Sequence, residues 1–371
     1  MIIGVPKEIK TQENRIALTP FGVEKLTSLG HKVLLEHDGG VRCGFLDENY
    51  QSAGANVVDG PQEIFAQSEL IVKVKEPQTP EIEMTREGQV MFTYFHFAAD
   101  RELTERFRDT GATAIAYETV QTDNGELPLL IPMSEVAGRM AIQEGARMLE
   151  MNNGGRGVLL GGVPGVEPAT VTIIGGGVVG LNSAKMAAGL GANVYILDVD
   201  VNRLRYLDDI MPKNVTTLYS DPVTLRDLLT RTDLLVGAVL VVGAKAPKLV
   251  TREMLEYMRP GTVIVDVAVD QGGCVETCRP TTHEDPTFVV DGIIHYCVAN
   301  MPGAVPNTST RALTNSTYPY VEKIAQFGAE KAMLSDPALL KGLNTYKRNI
   351  THSGVAEAFG LDYVDPLSLL G

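Results

Sequence analysis

VTIIGGGVVG, residues Val171–Gly180, sets Gly175, Gly177 and Gly180 directly behind a run of β-branched residues. A helical stretch of small and apolar residues follows, Val178–Leu190, and Gly191 ends it. A second apolar run, Asn193–Leu197, then finishes at Asp198. Strand, glycines, helix, strand and terminal acid in this order spell a dinucleotide-binding unit. Gly175 permits the sharp turn from strand to helix. Gly177 leaves no side chain where a pyrophosphate approaches, and Gly180 lets helix and strand pack closely. The helix N-terminus at Val178 and Val179 offers free N–H groups and a partial positive charge. Asp198 can accept hydrogen bonds from both ribose hydroxyls and would repel a 2′-phosphate, which favours NAD over NADP. Arg203 nearby weighs slightly the other way. Further cofactor contacts are expected at the carboxyl ends of neighbouring strands, at Ser220, Val239, Leu240, Val267 and Asn300.

Around this unit the 371-residue chain reads as an ordinary folded protein, 44% hydrophobic and 21% charged. That composition excludes a disordered chain. Aromatic residues are scarce and Trp is absent, so the cores must be built from Val, Ile, Leu and Ala. The net charge of −14 repels phosphate backbones and anionic lipid, which argues against nucleic-acid and membrane partners. The N-terminus has no signal-peptide pattern, and the longest apolar runs are too short to span a bilayer. Cys43, Cys274, Cys278 and Cys297 form no Cys-x-x-Cys pair and fit no common zinc spacing. Reduced thiols in a cytoplasmic protein and no bound metal are the expectation.

Apolar runs alternate with amphipathic stretches along the whole chain, so the fold class is α/β. Strands are expected at Met1–Val5, Lys32–Leu35, Leu70–Val74, Val90–Phe95 and Ala112–Ala116, with helices such as Thr19–Leu29 and Arg101–Asp109 between them. A long helix over Glu135–Met151, capped by Ser134, leads into a glycine-rich connection. Beyond Val171–Ile174 and Asn193–Leu197, strands are expected at Val215–Tyr219, Leu234–Val239, Thr262–Val267 and Phe288–Val290. Helices are expected at Tyr318–Phe327 and Pro337–Leu343, the latter capped by Asp336. The architecture is two Rossmann-like doubly wound domains with a cleft between them. Residues 1–133 and 305–371 form a discontinuous substrate domain, and residues 134–304 form the NAD-binding domain.

Three polar residues of the first domain share a placement. Arg15 lies in the loop after the first strand, Lys75 ends the strand in ELIVKVKEP, and His96 ends the strand in QVMFTYFHFAAD. In a parallel sheet all three gather at the carboxyl edge, where such domains bind ligands. In GTVIVDVAVDQGG, Asp270 falls at the cofactor-facing edge, while Asp266 reads as a satisfied carboxylate at the strand boundary.

Taken together, MIIGVPKEIKTQENRIALTP, IVKVKEP, MFTYFHFAAD, the glycine fingerprint, DVAVDQGG and HYCVANMPGAVPNTST resemble the alanine dehydrogenase/transhydrogenase family over essentially the whole length. The resemblance implies a reversible NAD-dependent oxidative deamination of L-alanine to pyruvate and ammonia by a cytoplasmic homohexamer. It implies that Arg15 holds the substrate carboxylate and that Lys75 bonds the carboxylate or keto oxygen. His96 would be the general acid/base, and Asp270 would position the catalytic water and the nicotinamide end. It also carries Ser134, Asp198, Arg203, Ser220, Arg279, Val298, Asn300 and Met301 over as cofactor contacts. Some family members use a Glu and a His on the C-terminal helix for a metal; here Glu322 is followed by Gln326, so none is expected. Two other functions remain to be weighed: a transhydrogenase subunit passing hydride between nicotinamide cofactors, and an NAD-binding sensor without turnover.

Overall fold

A computed structural model of the protein describes residues 1–239 and 246–370, and for Asp270 and Gln271 the backbone alone. Leu240, expected to touch the cofactor, lies outside the described residues. The chain divides into two compact units, Met1–Met133 with Gly303–Gly371, and Ser134–Pro302.

In chain order the strands are β1 (Ile2–Val5), β2 (Lys32–Glu36), β3 (Asn56–Val58), β4 (Leu70–Val72), β5 (Val90–Thr93), β6 (Thr113–Ala116), β7 (Thr170–Ile174), β8 (Asn193–Asp198), β9 (Val215–Tyr219), β10 (Leu234–Gly237), β11 (Val263–Asp266), β12 (Thr287–Val290), β13 (Ile293–Tyr296), β14 (Leu343–Tyr346) and β15 (Asn349–Ile350). In the first unit they order as β15-β14-β6-β5-β4-β1-β2-β3, and in the second as β12-β13-β11-β10-β7-β8-β9. Both sheets therefore contain the doubly wound 3-2-1-4-5-6 order in parallel strands. The order of strand addition reverses between two central strands, β1/β4 in one unit and β7/β10 in the other. The central strands are buried on both faces, which is why β4, β5, β6 and β10 are unbroken runs of buried residues without polar alternation.

Several elements depart from the sequence expectation. The sixth parallel strand of the second unit is Ile293–Tyr296; Phe288–Val290, expected in that role, belongs to its antiparallel edge partner. Asp291 and Gly292 join them with φ of 51° and 81°, the left-handed pair that a two-residue hairpin needs. The helix expected over Pro337–Leu343 stops at Lys341, and Leu343 opens β14. The hairpin β14–β15 turns on Lys347 and Arg348, again both at positive φ, with no glycine to announce it. Asp336 caps its helix as expected, accepting from the N–H groups of Ala338 and Leu339. The helix expected from Glu135 spans Ile131–Met148, so Ser134 sits in its first turn and is not its cap. The helix expected over Tyr318–Phe327 begins at Pro306 and carries Pro319 inside it.

The glycine fingerprint has measurable reasons. Gly175 has φ of 102°, and a Cβ there would stand 2.6 Å from the Ala238 carbonyl oxygen. At Gly180 a Cβ would fall 1.8 Å from the Gly175 carbonyl oxygen, so the helix Val178–Gly189 can lie on β7 only without a side chain there. A Gly180→Ala substitution should destabilise the second unit by about 2–3 kcal/mol through overpacking. Calorimetry should show a lowered melting temperature; an unchanged one would mean that helix and strand are not held this closely.

Candidate functional site

Within the first unit, the site grows from the carboxyl edge of the sheet. Arg15 follows β1, Lys75 follows β4 and His96 follows β5, so the parallel order brings the three expected residues to one edge. Arg15 is 2% exposed. Its Nε and Nη2 donate to the two carboxylate oxygens of Glu13 at 2.7 and 2.6 Å, a fork on a fork. Nη1 faces the Met133 sulfur at 2.9 Å, a weak acceptor. Burial works against the guanidinium charge, but Glu13 outweighs it and the pKa is raised.

Two lysines two residues apart meet opposite fates. Lys73 is fully buried and lies between Glu8 and Glu81, at 3.2 and 2.5 Å. Lys75 is half-buried, and among the described residues its ammonium forms no salt bridge. Burial, reinforced by the Arg15 charge, lowers its pKa. An ammonium in this setting has the chemistry to hold an anion. Glu8 is pushed up to about 7, chiefly by burial; Lys73 opposes the rise, and Glu81 and Glu13 add to it.

His96 is 43% exposed at its side chain and has φ of 55°, an uncommon left-handed conformation for a residue with a Cβ. Its Nδ1 lies 3.2 Å from Glu76 Oε2, and its ring stacks on Tyr94 with centroids 6.0 Å apart. Glu76 also pairs with Lys10. Burial alone would raise the Glu76 pKa, but His96 and Lys10 overrule it and hold it at about 2.

In the second unit, the fingerprint forms a cradle at the β7/β10 switch point. Among the described residues, a Cβ on Gly177 would meet no atom within 4 Å, and no side chain caps the helix that begins there. The open space and uncapped N–H groups suit a phosphate. Asp198 ends β8 and accepts from the N–H of Gly176 at 2.7 Å and of Asp200 at 2.9 Å. Arg203 donates to the carbonyls of Gly176 at 2.5 Å and Gly177 at 3.4 Å, so it braces the glycine loop. Ser220 follows β9 and donates its N–H to the Asp198 carbonyl. Val239 follows β10, and Val267 opens the turn after β11. Val298 is buried and bridges Thr281; Asn300 has φ of 60°; Met301 is buried. Arg279 is exposed and covers the Phe288 ring at 4.4 Å. Ser134 is half-buried. This donor set fits a dinucleotide. Asp270 lies in the turn Val267–Gln271, and its side chain is outside the described residues. Asp266 is the satisfied carboxylate expected: fully buried, it accepts from the N–H groups of Ala268 and Val275, both at 3.1 Å.

Sequence reasoning overlooked Glu8, Glu13, Glu76 and Glu118, the acids that hold the cationic residues or their backbones. Glu8 and Glu13 sit inside the KEIKTQENR stretch beside Arg15, and Glu76 follows Lys75, so adjacency was a usable signal. Nothing local marks Glu118. Among the described residues, His37, Asp38 and Asp47 alone cluster like metal ligands; His37 and Asp38 follow β2 and are exposed, and Asp47 is half-buried. Gln326 donates to Glu322 at 3.3 Å. All four cysteines are free.

Two family profiles match: "Alanine dehydrogenase/PNT, N-terminal domain" over residues 4–137 and "Alanine dehydrogenase/PNT, C-terminal domain" over residues 141–353. The chain is 56% identical to an alanine dehydrogenase of Methanococcus maripaludis, with 98% of each chain covered. It is also 56% identical to that of Bacillus subtilis, with 98% of this chain and 96% of the other covered. A solved L-alanine dehydrogenase structure superposes with a TM-score of 0.94 at 53% identity, covering 97% of this chain and 99% of the other. A transhydrogenase structure from Sinorhizobium meliloti shares the fold at 24% identity, with a TM-score of 0.81 over 95% of this chain and 99% of the other.

Glu76 carries a pH signature. Its depressed pKa contributes stability that is present above about 4.5 and lost as pH falls toward about 2. Urea midpoints of the native protein and Glu76→Gln should therefore differ most near pH 6 and converge only toward about pH 2. Parallel profiles would remove the ion pair from the stability of this edge.

Proposed function

The chain belongs to the alanine dehydrogenase/PNT family, and on that premise we propose that it catalyses the reversible NAD-dependent oxidative deamination of L-alanine to pyruvate and ammonia. The observation that carries the reading is the gathering of Arg15, Lys75 and His96 at one sheet edge. It is the equipment for a small carboxylate whose neighbouring carbon changes between amine, imine and carbonyl.

Arg15 holds the substrate carboxylate through charge-assisted hydrogen bonds from its guanidinium. Lys75 donates to the carboxylate or keto oxygen and stabilises negative charge developing there; a lowered pKa suits an ammonium that shares its proton. NAD, when bound, supplies the acceptor for the hydride that leaves the alanine Cα. The substrate becomes an iminium ion, and water adds to its carbon. His96 takes the proton from that water and returns one as ammonia departs, with Glu76 steadying the imidazolium. Asp270 positions the water and the nicotinamide end.

The cofactor reading uses Gly175, Gly177, Val178, Val179, Gly180 and Asp198 as its core. Ser134, Arg203, Ser220, Val239, Leu240, Val267, Arg279, Val298, Asn300 and Met301 complete it. Asp198 at the end of β8 favours NAD over NADP. No helix of the described residues is long and apolar enough to cross a membrane. We extend the reading to a homohexamer in the cytoplasm, where free thiols stay reduced. Light scattering should then give about six times the 40.0 kDa chain mass; a monomer would overturn the assembly.

The direct test follows NADH formation with purified protein, NAD and a panel of L-amino acids. Alanine should be strongly preferred. Hydride exchange with a second nicotinamide cofactor and no amino-acid turnover would favour the transhydrogenase reading instead. His96→Ala should lose turnover by about 100-fold or more while keeping NAD affinity, and near-normal turnover would strip His96 of its role. Asp198→Ala should weaken NAD binding by about tenfold in a fluorescence titration, the loss of one charge-assisted hydrogen bond.

A further inference from the structure

The carboxyl edge of the first sheet contains a repeated device. In a parallel ladder, each backbone N–H needs a carbonyl from the adjacent strand. Past the end of β5 that supply fails on the β6 side: the pairing stops at Thr93 with Ala116, and β6 winds into the turn Tyr117–Thr119. The carboxylate of Glu118, on that turn, takes over. It accepts from the Phe95 N–H at 3.1 and 3.2 Å and from the His96 N–H at 2.5 Å. Past the end of β4 the supply fails on the β1 side, where the pairing stops at Gly4 with Ile71. Here Glu8 takes over, accepting from the Val74 N–H at 2.6 Å and the Lys75 N–H at 3.4 Å.

We infer that Glu118 and Glu8 are positioning residues: each carboxylate stands in for a missing strand carbonyl and so sets where the imidazole of His96 and the ammonium of Lys75 stand. The inference rests on the proposed roles of those two side chains. Two consecutive N–H groups on one carboxylate explain how His96 stays in its left-handed conformation, which is strained for a residue with a Cβ. On the opposite side of the same segment, Tyr94 N–H bonds the Val74 carbonyl and Thr93 Oγ1 bonds the Lys75 carbonyl, so the two extensions brace each other. Glu8 is also anchored through Lys73 to Glu81. A shift at one carboxylate is thereby passed to a reacting side chain, and a misplacement of about 1 Å can cost on the order of 100-fold in rate.

Glu118→Gln and Glu8→Gln test this. Both are nearly isosteric, and Glu8→Gln leaves Lys73 with one carboxylate partner, a balanced pair that favours folding. Glu118→Gln should lower kcat by about 10- to 100-fold with little change in the KM for alanine. Glu8→Gln should raise the KM for alanine and pyruvate by about tenfold or more. NAD affinity should stay unchanged in both. The discriminating measurement is the double-mutant cycle. Adding Glu118→Gln to His96→Ala, or Glu8→Gln to Lys75→Ala, should cost no further activity, because each glutamate acts through its partner. Additive losses would overturn the inference and leave both as general stabilisers; so would single variants with native kinetics. Should a glutamine variant fail to fold, Glu118→Asp and Glu8→Asp replace it, shortening the reach while keeping the charge, with the same outcomes required. Native-like turnover in His96→Ala and Lys75→Ala themselves would instead defeat the underlying reading of the site.

Discussion

A parallel sheet runs out of hydrogen-bond partners at its carboxyl edge, and the backbone there must be satisfied by other means or left exposed to water. This protein answers with carboxylates. Glu8 and Glu118 do so in the first sheet, Asp198 and Asp266 in the second, each accepting from N–H groups of loops that follow the strands. The solution concentrates negative charge at the edges where ligands bind in this fold. That charge is then countered locally by Lys73, Arg15, Lys10 and the backbone itself.

The balance is finest around Lys73. One buried ammonium faces two buried carboxylates, so burial pushes Glu8 up to about 7 even with a cation beside it. Leaving any one of these groups uncompensated would be costly in so dry a place. Lys73, the cation of the trio, stands just before Lys75 in the same run. Two lysines of one sequence run therefore differ: one is consumed by the scaffold, and the other makes no salt bridge among the described residues. The neighbouring Arg15 is held by both carboxylate oxygens of Glu13, and its Nη1 meets the Met133 sulfur.

The doubly wound order was readable because buried parallel strands are written as short β-branched runs, and because Gly175, Gly177 and Gly180 each meet a distinct steric demand. The hairpins were harder. Asp291-Gly292 carries a turn signal that separates β12 from β13, but Lys347-Arg348 carries none. Its left-handed pair is imposed by strand pairing against β6 and not by local preference. The end of the helix at Lys341 was likewise invisible, since Leu343 suits a helix as well as a strand and tertiary pairing decides between them.

Residue order alone determined the two α/β units, the nucleotide cradle and the grouping of Arg15, Lys75 and His96, because strand ends, glycines and charged residues occupy fixed offsets along the chain. Only the tertiary structure decided which acid serves which partner. Glu118 lies 22 positions beyond His96 and Glu8 lies 66 positions before Val74. Adjacent strands of a parallel sheet are joined by long crossovers, so groups that touch at its edge are distant in sequence, and no local pattern can announce them.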